Sequence, residues 1–132
     1  MRKDNQTPCK KCAGFIVNTN GTVLDNTTNL TWQQEIPEGT FNWKQAKEYA
    51  SQLNLGGYND WRIPTREELQ SLVDFIKVNP AIDVEAFPTS AYFWSSSPLA
   101  NSRDYAWYVG FSNGFSYNDY SFYYSLRVRC VR

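Results

Sequence analysis

The chain has 132 residues, a length typical of one domain with a single hydrophobic core. Thirteen lysines and arginines balance thirteen aspartates and glutamates, so no net charge attracts a polyanion, and we expect no nucleic-acid partner. No apolar run reaches the ~20 residues of a membrane span, and residues 1–12 lack the apolar stretch of a signal peptide. We therefore expect no membrane insertion and a single domain over residues 13–132, preceded by a flexible leader over residues 1–12.

The three cysteines and the absence of histidine bear on metal and redox chemistry. Cys9 and Cys12 form a C-x-x-C pair, but a zinc ribbon needs a second pair of ligands. The pair lies in a polar stretch and not at the strand-to-helix turn of a thioredoxin-like motif. We predict no metal site and no cofactor. We favour a structural role for the cysteines, in which one of the pair is bonded to Cys130 in an oxidising environment. Free thiols are the alternative.

The first half of the chain predicts short strands followed by a helix. Asn20-Gly21 separates two apolar runs, at residues 15–17 and 22–24, which is a strong hairpin signal. A helix begins after Asn42, where Gln45 completes a capping box, and we expect Gly56-Gly57 to end it. The residues at helical spacing that form its buried face are Trp43, Ala46, Tyr49, Ala50 and Leu53.

A second helix and further strands complete the predicted elements. Thr65 caps this helix with Glu68 at the third position, and its buried stripe comprises Leu69, Leu72, Val73 and Ile76. An alternating strand covers residues 105–111, with Trp107, Val109 and Phe111 on one face, and a half-buried strand ends the chain. Strands, two helices and then strands, without βαβ alternation, indicate an α+β domain with segregated helices.

The segment from Tyr105 to Tyr124 is the most unusual part of the sequence. Ten of its twenty residues are aromatic, and serine, asparagine and glycine lie between them. Tyrosine gives stiff contact area while the small polar residues give adaptable hydrogen bonds, which is the mixture found in binding surfaces. The alternative is a core strand. Residues 117–124 do not alternate and have no aliphatic partners, so we favour an exposed binding surface there.

Several motifs together resemble the C-type-lectin-like family found at the end of bacterial collagen-like adhesins. They include GTFNW at residues 39–43, DWRIPT at 60–65, WSSS at 94–97 and VRCVR at 128–132. The resemblance covers nearly all of the chain after Gly14. It implies two helices packed on a mainly antiparallel sheet with long irregular loops. The calcium motifs Glu-Pro-Asn and Gln-Pro-Asp do not occur, so calcium-dependent sugar binding is not expected.

That family includes the variable proteins of diversity-generating retroelements, in which the 3′ end of a gene is rewritten at template adenines. An AAC codon altered at its adenines yields Asn, Ser, Tyr, Phe, Asp, Gly and Leu, which crowd residues 105–126, but cannot yield Lys, Glu, Gln, Met or Trp. Of these five, only Trp107 occurs there. The resemblance implies a variable ligand-binding segment at about 99–126, comprising Tyr108, Gly110, Ser112, Phe115, Tyr117, Asn118, Asp119, Tyr120, Phe122, Tyr123 and Tyr124, with Asn101, Asp104 and Tyr105 as further members.

The same resemblance implies a fixed frame and an unspecified partner. Its framework residues are Trp94, Trp107, Phe111, Gly114 and Val128, and its variable residues lie on one exposed face, with Tyr117, Tyr120, Tyr123 and Tyr124 as expected anchors. The implied partner is a protein or glycan on a target surface, and display on a cell or virion is favoured. Many members carry cysteine where this chain has Ala50, so a disulfide from that helix to Cys130 is excluded.

Two other functions compete with variable recognition. The same broad fold hosts formylglycine-generating enzymes, but this chain offers no histidine base and no identifiable nucleophile–base pair, so we expect no enzyme. Asp60, Arg62, Glu68 and Asp74 are interpreted as turn and cap residues. The alternative function is a fixed-specificity adhesin or virion decoration module of the same fold, whose aromatic residues make permanent contacts.

Overall fold

The computed structural model contains a four-stranded and a three-stranded sheet, both antiparallel. It describes residues 14–88, 91–121 and 124–132, without the side chains of Arg103 and Tyr120. It also describes the backbone of residues 6–8. Two helices accompany the sheets in this part of the chain, as the α+β prediction required, and the arrangement is that of a small lectin-like domain. The elements are β1 (Gln6–Pro8), β2 (Phe15–Asn18), β3 (Thr22–Asp25), β4 (Leu30–Gln33), α1 (Trp43–Gln52), α2 (Arg66–Gln70), β5 (Tyr92–Leu99), β6 (Ser102–Gly110) and β7 (Phe115–Tyr120).

The first sheet has the strand order β1-β2-β3-β4. Its β2–β3 hairpin closes at Asn20-Gly21 as predicted, because Gly21 adopts a positive φ of 86° and the Asn20 side chain accepts a hydrogen bond from the Thr22 hydroxyl at 2.6 Å. The backbone of Gln6–Pro8 pairs with β2. That part of the expected leader therefore belongs to the sheet, and the rest of the leader lies outside the described residues.

Helix α1 begins as the sequence predicts but ends earlier. Asn42 and Gln45 form the capping box, with reciprocal hydrogen bonds of 2.9 and 3.0 Å. Ala46 and Ala50 are buried, whereas the larger members of the predicted face are partly buried. The helix ends at Gln52 because Leu53 is extended, so the predicted stop at Gly56-Gly57 is wrong. Those glycines, both with positive φ, form the next turn.

Helix α2 keeps its predicted start but is only five residues long. The Thr65 capping box is present, and Leu69 and Leu72 are buried. Ile76 is 92% exposed, so its place in the predicted buried stripe is wrong. The chain turns away at Asp74, whose carboxylate accepts the Ile76 N–H at 3.2 Å and whose own N–H donates to the Ala81 carbonyl at 2.8 Å.

The second sheet, in the order β5-β6-β7, is joined to the first by the C-terminal segment, residues 126–132. The segment was predicted to be a regular strand, but it forms single bridges, including Trp32↔Val131 in one sheet and Phe93↔Arg127 in the other. Two buried clusters lie on either side of it. One contains Trp32, Phe87 and Phe93, and the other contains Trp61, Trp94 and Cys130.

Arg129 is buried within this segment, although it is a charged residue. Its guanidinium donates to the carbonyl of Gln33 at 2.6 Å and to that of Gln34, and it lies over the rings of Phe87 and Phe93. Burial lowers the pKa of Arg129 to about 9, so the side chain stays charged at neutral pH. Carbonyl oxygens and aromatic faces thus replace the water that a buried cation loses.

Cys130 provides the first test of this packing. Its thiol is free and buried, so the disulfide expected of Cys130 is not formed, and burial raises its pKa to about 12. Cys9 and Cys12 lie outside the described residues. In a Cys9→Ser/Cys12→Ser variant, we expect a thiol-specific chromogenic disulfide to leave the native protein unlabelled and to label one thiol in guanidinium chloride. Rapid labelling of the native variant would show that the second cluster is open to solvent.

Glu68 provides the second test. Hydrogen bonds from Arg62, at 2.7 and 2.8 Å, lower its pKa, and the Thr65 N–H adds to the effect. A carboxylate whose folded pKa is depressed stabilises the fold above its unfolded pKa, and this contribution disappears as the pH falls through the folded value. Because Arg62 is half exposed, we expect Glu68→Gln to lower the free energy of unfolding by only ~1 kcal/mol at pH 7.

Denaturant unfolding of both proteins from pH 7 down to pH 3 measures this contribution. The difference between wild type and Glu68→Gln should shrink once the pH falls below the ordinary glutamate pKa. Glu67→Gln is the matched control, because the Glu67 side chain is 74% exposed and its carboxylate lies 3.5 Å from Arg66, which is a longer contact than that of Glu68 with Arg62. A difference for Glu68→Gln that is independent of pH would contradict the ion-pair explanation.

Candidate ligand-binding surface

Three tyrosines stack on one face of the second sheet, and we call Tyr92, Tyr108 and Tyr117 the tyrosine cluster. The β6–β7 register places Tyr108 directly opposite Tyr117, with ring centroids 5.5 Å apart. Tyr92, from β5, lies 6.0 Å from Tyr108 and 6.3 Å from Tyr117, and all three interplanar angles are below 30°. Stacked aromatic rings stabilise one another by more than the burial of their apolar area alone provides. The cluster is therefore a preformed aromatic platform.

Gly110 makes room for this platform. Tyr92 and Gly110 are paired across β5 and β6, and a Cβ at Gly110 would lie 2.9 Å from the Tyr92 ring. The ring of Tyr92 therefore lies across the glycine and reaches Tyr117. Gly110 is buried, so it supports the aromatic platform and does not offer the contact surface expected of it from the resemblance. A glycine inside a strand often marks such a close approach.

Residues of the β6–β7 turn hold two of the phenol groups in place. The Asn113 side-chain amide donates to the Tyr117 hydroxyl at 2.9 Å, and its carbonyl accepts the Phe115 N–H at 3.0 Å. The hydroxyl groups of Tyr92 and Ser112 lie 3.4 Å apart. Asn113 was not among the predicted ligand-binding residues, and its contacts give it a role in orienting Tyr117.

Tyr108 is the centre of the local electrostatic environment. Burial raises its pKa, and the nearby Asp119, Tyr117, Tyr124 and Tyr92 raise it further. The Tyr108 phenol therefore stays neutral at physiological pH. Asp119 lies opposite Ala106 in the register, two residues beyond Tyr117, so its carboxylate belongs to the same side of the sheet as the tyrosine cluster.

One member of the tyrosine cluster and the large aromatic residues around the cluster are open to solvent. Phe115 is 59% exposed, Tyr124 is 48% exposed and Tyr92 is 42% exposed. Asn101 and Asp104 are also exposed, whereas Tyr105 and Ser112 are partly buried. Exposed aromatic side chains at this density are typical of an interaction surface.

The register divides the predicted residues between two faces, because side chains alternate along β7. Phe115, Tyr117 and Asp119 follow the tyrosine cluster. Asn118 lies on the opposite face, across from Trp107. The predicted residues of this hairpin therefore lie on both faces of the sheet. The backbone of Tyr120 pairs with Tyr105, and Phe122 and Tyr123 lie outside the described residues.

Tyr92 was missed by the sequence argument because it precedes the segment 99–126. Its role depends on the strand register that pairs it with Gly110, which the structure shows. Trp107 differs from its prediction in another way. It was placed in the core, but it is half buried, and the Arg66 guanidinium lies 4.4 Å from its ring centroid.

The hairpin that carries these residues is anchored by helix α2. A Cβ at Gly114 would lie 2.5 Å from the Val73 side chain, and Gly114 has a φ of 82°, so only glycine fits there. The Gln70 amide donates to the Gly114 carbonyl at 3.2 Å and to the Ser116 hydroxyl at 2.6 Å. The other implied framework residues, Trp94, Phe111 and Val128, are buried. The platform thus rests on a packed base.

Among the described residues, no group of three or more Cys, Asp or Glu side chains could hold a metal ion. None of the helices described is long and apolar enough to cross a membrane.

A family model matches most of the chain, whereas no match was found among the curated proteins. The family model of the Lcl C-terminal domain matches residues 21–132, a span that contains both helices, the whole second sheet and the C-terminal segment. This match confirms the lectin-like part of the resemblance but does not distinguish variable proteins from other members. The chain belongs to the Lcl C-terminal domain family.

Proposed function

We propose that this domain binds a protein or glycan on a target surface through the tyrosine cluster and the exposed residues around it, and that a retroelement diversifies this surface. The observation that carries the proposal is the stacked, part-exposed platform on a hairpin whose base is buried. The proposed setting is the surface of a cell or a virion. The proposal also assigns the domain no enzymatic role.

The chemistry of the platform supports strong recognition over a small area. Tyrosine is over-represented among the residues that dominate binding energy, and its rigid ring loses little entropy when it is buried. A standard interface buries roughly 800 Å² on each partner. Tyr117 and Tyr124 are the proposed anchors of this contact, with Tyr92 as a third that lies outside the diversified segment.

The contacts of the hairpin support diversification at selected positions. Phe115, Asn118 and Tyr124 are exposed, so a change at any of them leaves the buried clusters intact. Trp107 packs against Arg66, and Gly114 has no space for a side chain, so both belong to the constant frame. Positions that tolerate replacement thus alternate with positions that do not, as a variable loop on a rigid scaffold requires.

The acidic residues of an imagined catalytic set have structural partners instead. Asp60 binds Arg132 at 2.5 and 2.9 Å, and Glu68 binds Arg62. Asp74 caps the turn after α2 and lies 3.7 Å from Lys77. These contacts support the proposal of a binding domain.

A fixed-specificity adhesin is the second candidate, and one observation favours it. Tyr108 and Tyr117 interlock with Tyr92, and Asn113 holds the Tyr117 hydroxyl. Side chains with so many specific contacts are costly to replace, which suits an unchanging surface. The two candidates therefore differ in how many positions of the hairpin are free to vary.

Sequencing the DNA that flanks the gene separates the two candidates. Diversification predicts a reverse transcriptase gene nearby and an imperfect repeat of the 3′ coding region that differs at adenines. The mismatches should fall on codons of exposed residues such as Phe115, Asn118 and Tyr124, and should spare those of Trp107 and Gly114. A locus with neither feature would leave the fixed adhesin as the function.

A stability scan tests the division between surface and frame. Phe115→Ser and Tyr124→Ser should each change the free energy of unfolding by less than ~0.5 kcal/mol, because both side chains are about half exposed or more. Trp94→Ala should lower it by roughly 3–5 kcal/mol, because Trp94 is fully buried and its indole N–H donates to the Phe41 carbonyl at 2.7 Å.

Thermal and urea unfolding of the three variants supplies these values. A loss of several kcal/mol in either serine variant would place that ring in the core. It would also remove the exposed aromatic surface on which both candidate functions depend.

A further inference from the structure

The rings of the tyrosine cluster form a flat floor and not a column. The three centroid separations are 5.5, 6.0 and 6.3 Å, and the corresponding interplanar angles are 27°, 25° and 19°. In a column of three rings, the two outer rings are much farther apart than neighbours are. The similar separations therefore place the rings at the corners of a triangle, and the small angles give their faces a common direction. We call this arrangement the aromatic floor.

The same side of the sheet carries two carboxylates. Asp119 follows Tyr117 by two residues, about 7 Å along β7, and Asp104 precedes Tyr108 by four residues on β6, so strand alternation places both beside the aromatic floor. Asp104 is exposed. Among the described positions of β6 and β7 on this side, none is a lysine or an arginine. The face of an aromatic ring is itself negative, so rings and carboxylates favour a cation together.

The charge of Asp119 acts on the centre of the aromatic floor. Burial is the main cause that raises the pKa of Tyr108, and the negative charge of Asp119 is the largest contribution from a neighbouring residue. A field that disfavours a phenolate at this position favours a positive group above the rings. The geometry and the electrostatics of the cluster thus select the same kind of ligand.

We propose that the aromatic floor and Asp119 bind the guanidinium group of an arginine side chain on a target protein. This inference rests on the proposed function, whose ligand class it narrows from a protein or glycan to a protein. A guanidinium is planar, so it stacks on rings whose faces share a direction, while the N–H groups at its edge meet a carboxylate beside the floor. It is also more weakly hydrated than an ammonium group, so less hydration is lost when it moves onto the rings.

The shape and charge of the aromatic floor disfavour other ligands. A quaternary ammonium is bound in an aromatic cage, which encloses it with rings inclined to one another, whereas these rings are inclined by at most 27°. A lysine ammonium is a strongly hydrated point charge that gains no area from a flat floor. A neutral sugar gains nothing from the charge of Asp119, and an acidic sugar is repelled by it.

The position of Asp119 makes it the specificity-determining residue of this contact. Tyr92 precedes the segment 99–126, so diversification leaves that ring in every variant, whereas Asp119 lies inside the segment. An AAC codon altered at its first adenine changes Asn to Asp, which have nearly the same size. Exchange of these two residues at position 119 therefore adds or removes the charge without changing the shape of the site.

Peptides selected from a random phage library on the wild-type domain test this inference. We expect enrichment of arginine, and we expect a synthetic copy with citrulline, the neutral isostere, to bind about tenfold more weakly. Asp119→Asn should weaken the arginine peptide by the same factor and leave the citrulline peptide unchanged, a coupling that a merely structural role of Asp119 would not produce. Glu48→Gln, which removes an exposed carboxylate from α1, is the matched control and should bind both peptides as wild type does.

Ring variants test the aromatic floor itself. Tyr117→Leu and Tyr92→Leu should each bind the arginine peptide about tenfold more weakly, because a flat π surface is lost. Tyr117→Phe should retain binding, since it keeps the ring and removes only the hydroxyl group that Asn113 contacts. Melting temperatures identify any leucine variant that is destabilised, and the citrulline coupling with Asp119→Asn does not depend on those variants.

The double variant Phe115→Ser/Tyr124→Ser separates this inference from the proposed function. Selected peptides without arginine enrichment, or equal binding of the arginine and citrulline peptides, would overturn the inference. If the double variant still loses those peptides, the proposed function stands. Peptide binding that neither the double variant nor the ring variants weaken would overturn both.

Two further measurements address other ligands of the aromatic floor. A peptide with trimethyllysine in place of arginine should bind more weakly, and tighter binding would replace the guanidinium with a quaternary ammonium. The inference also predicts that no neutral glycan on a printed array binds through the floor. A neutral glycan bound equally by wild type and Asp119→Asn, but lost in Tyr92→Leu, would make a sugar the ligand.

Discussion

The C-terminal segment is the constraint on which the rest of the structure depends. Its backbone bonds to the first sheet through Thr31 and Gln33, and to the second through Tyr92 and Trp94. No backbone hydrogen bond joins the two sheets directly in the part of the chain that the structure describes. Arg129 lies in the middle of this segment, and its buried guanidinium donates hydrogen bonds to the carbonyls of residues 33 and 34. The first sheet, the second sheet and the end of the chain must therefore assemble together.

This arrangement explains how an aromatic surface can coexist with a stable fold. The frame ends at Gly114, where α2 meets the hairpin, and at Gly110, where Tyr92 lies across the sheet. Beyond these two positions the side chains of Phe115 and Tyr124 contribute little to either buried cluster. Aromatic side chains exposed there can bind a partner without destabilising the fold, since the apolar burial that stabilises the domain is located elsewhere.

Local signals predicted the starts of both helices and the β2–β3 turn, and failed where tertiary contacts decide. Capping boxes at Asn42 and Thr65 involve residues three apart, so the sequence alone identifies them. The end of α2 depends on Asp74 and Ala81, and the burial of Arg129 depends on carbonyls almost a hundred residues away. The resemblance implied one exposed face for the candidate site, whereas strand pairing places its residues on both faces of the sheet. That division depends on the strand register, which a composition argument does not detect.

Hydrogen exchange of backbone amides tests most directly whether the frame is independent of the surface. The amides of Arg127 and Val131 donate to the carbonyls of Tyr92 and Arg62, at 3.0 and 2.9 Å. The account predicts that both exchange only through global unfolding, at the same rates in wild type and in Phe115→Ser/Tyr124→Ser. Markedly faster exchange of these two amides in the double variant would contradict it, because the aromatic surface would then be supporting the frame.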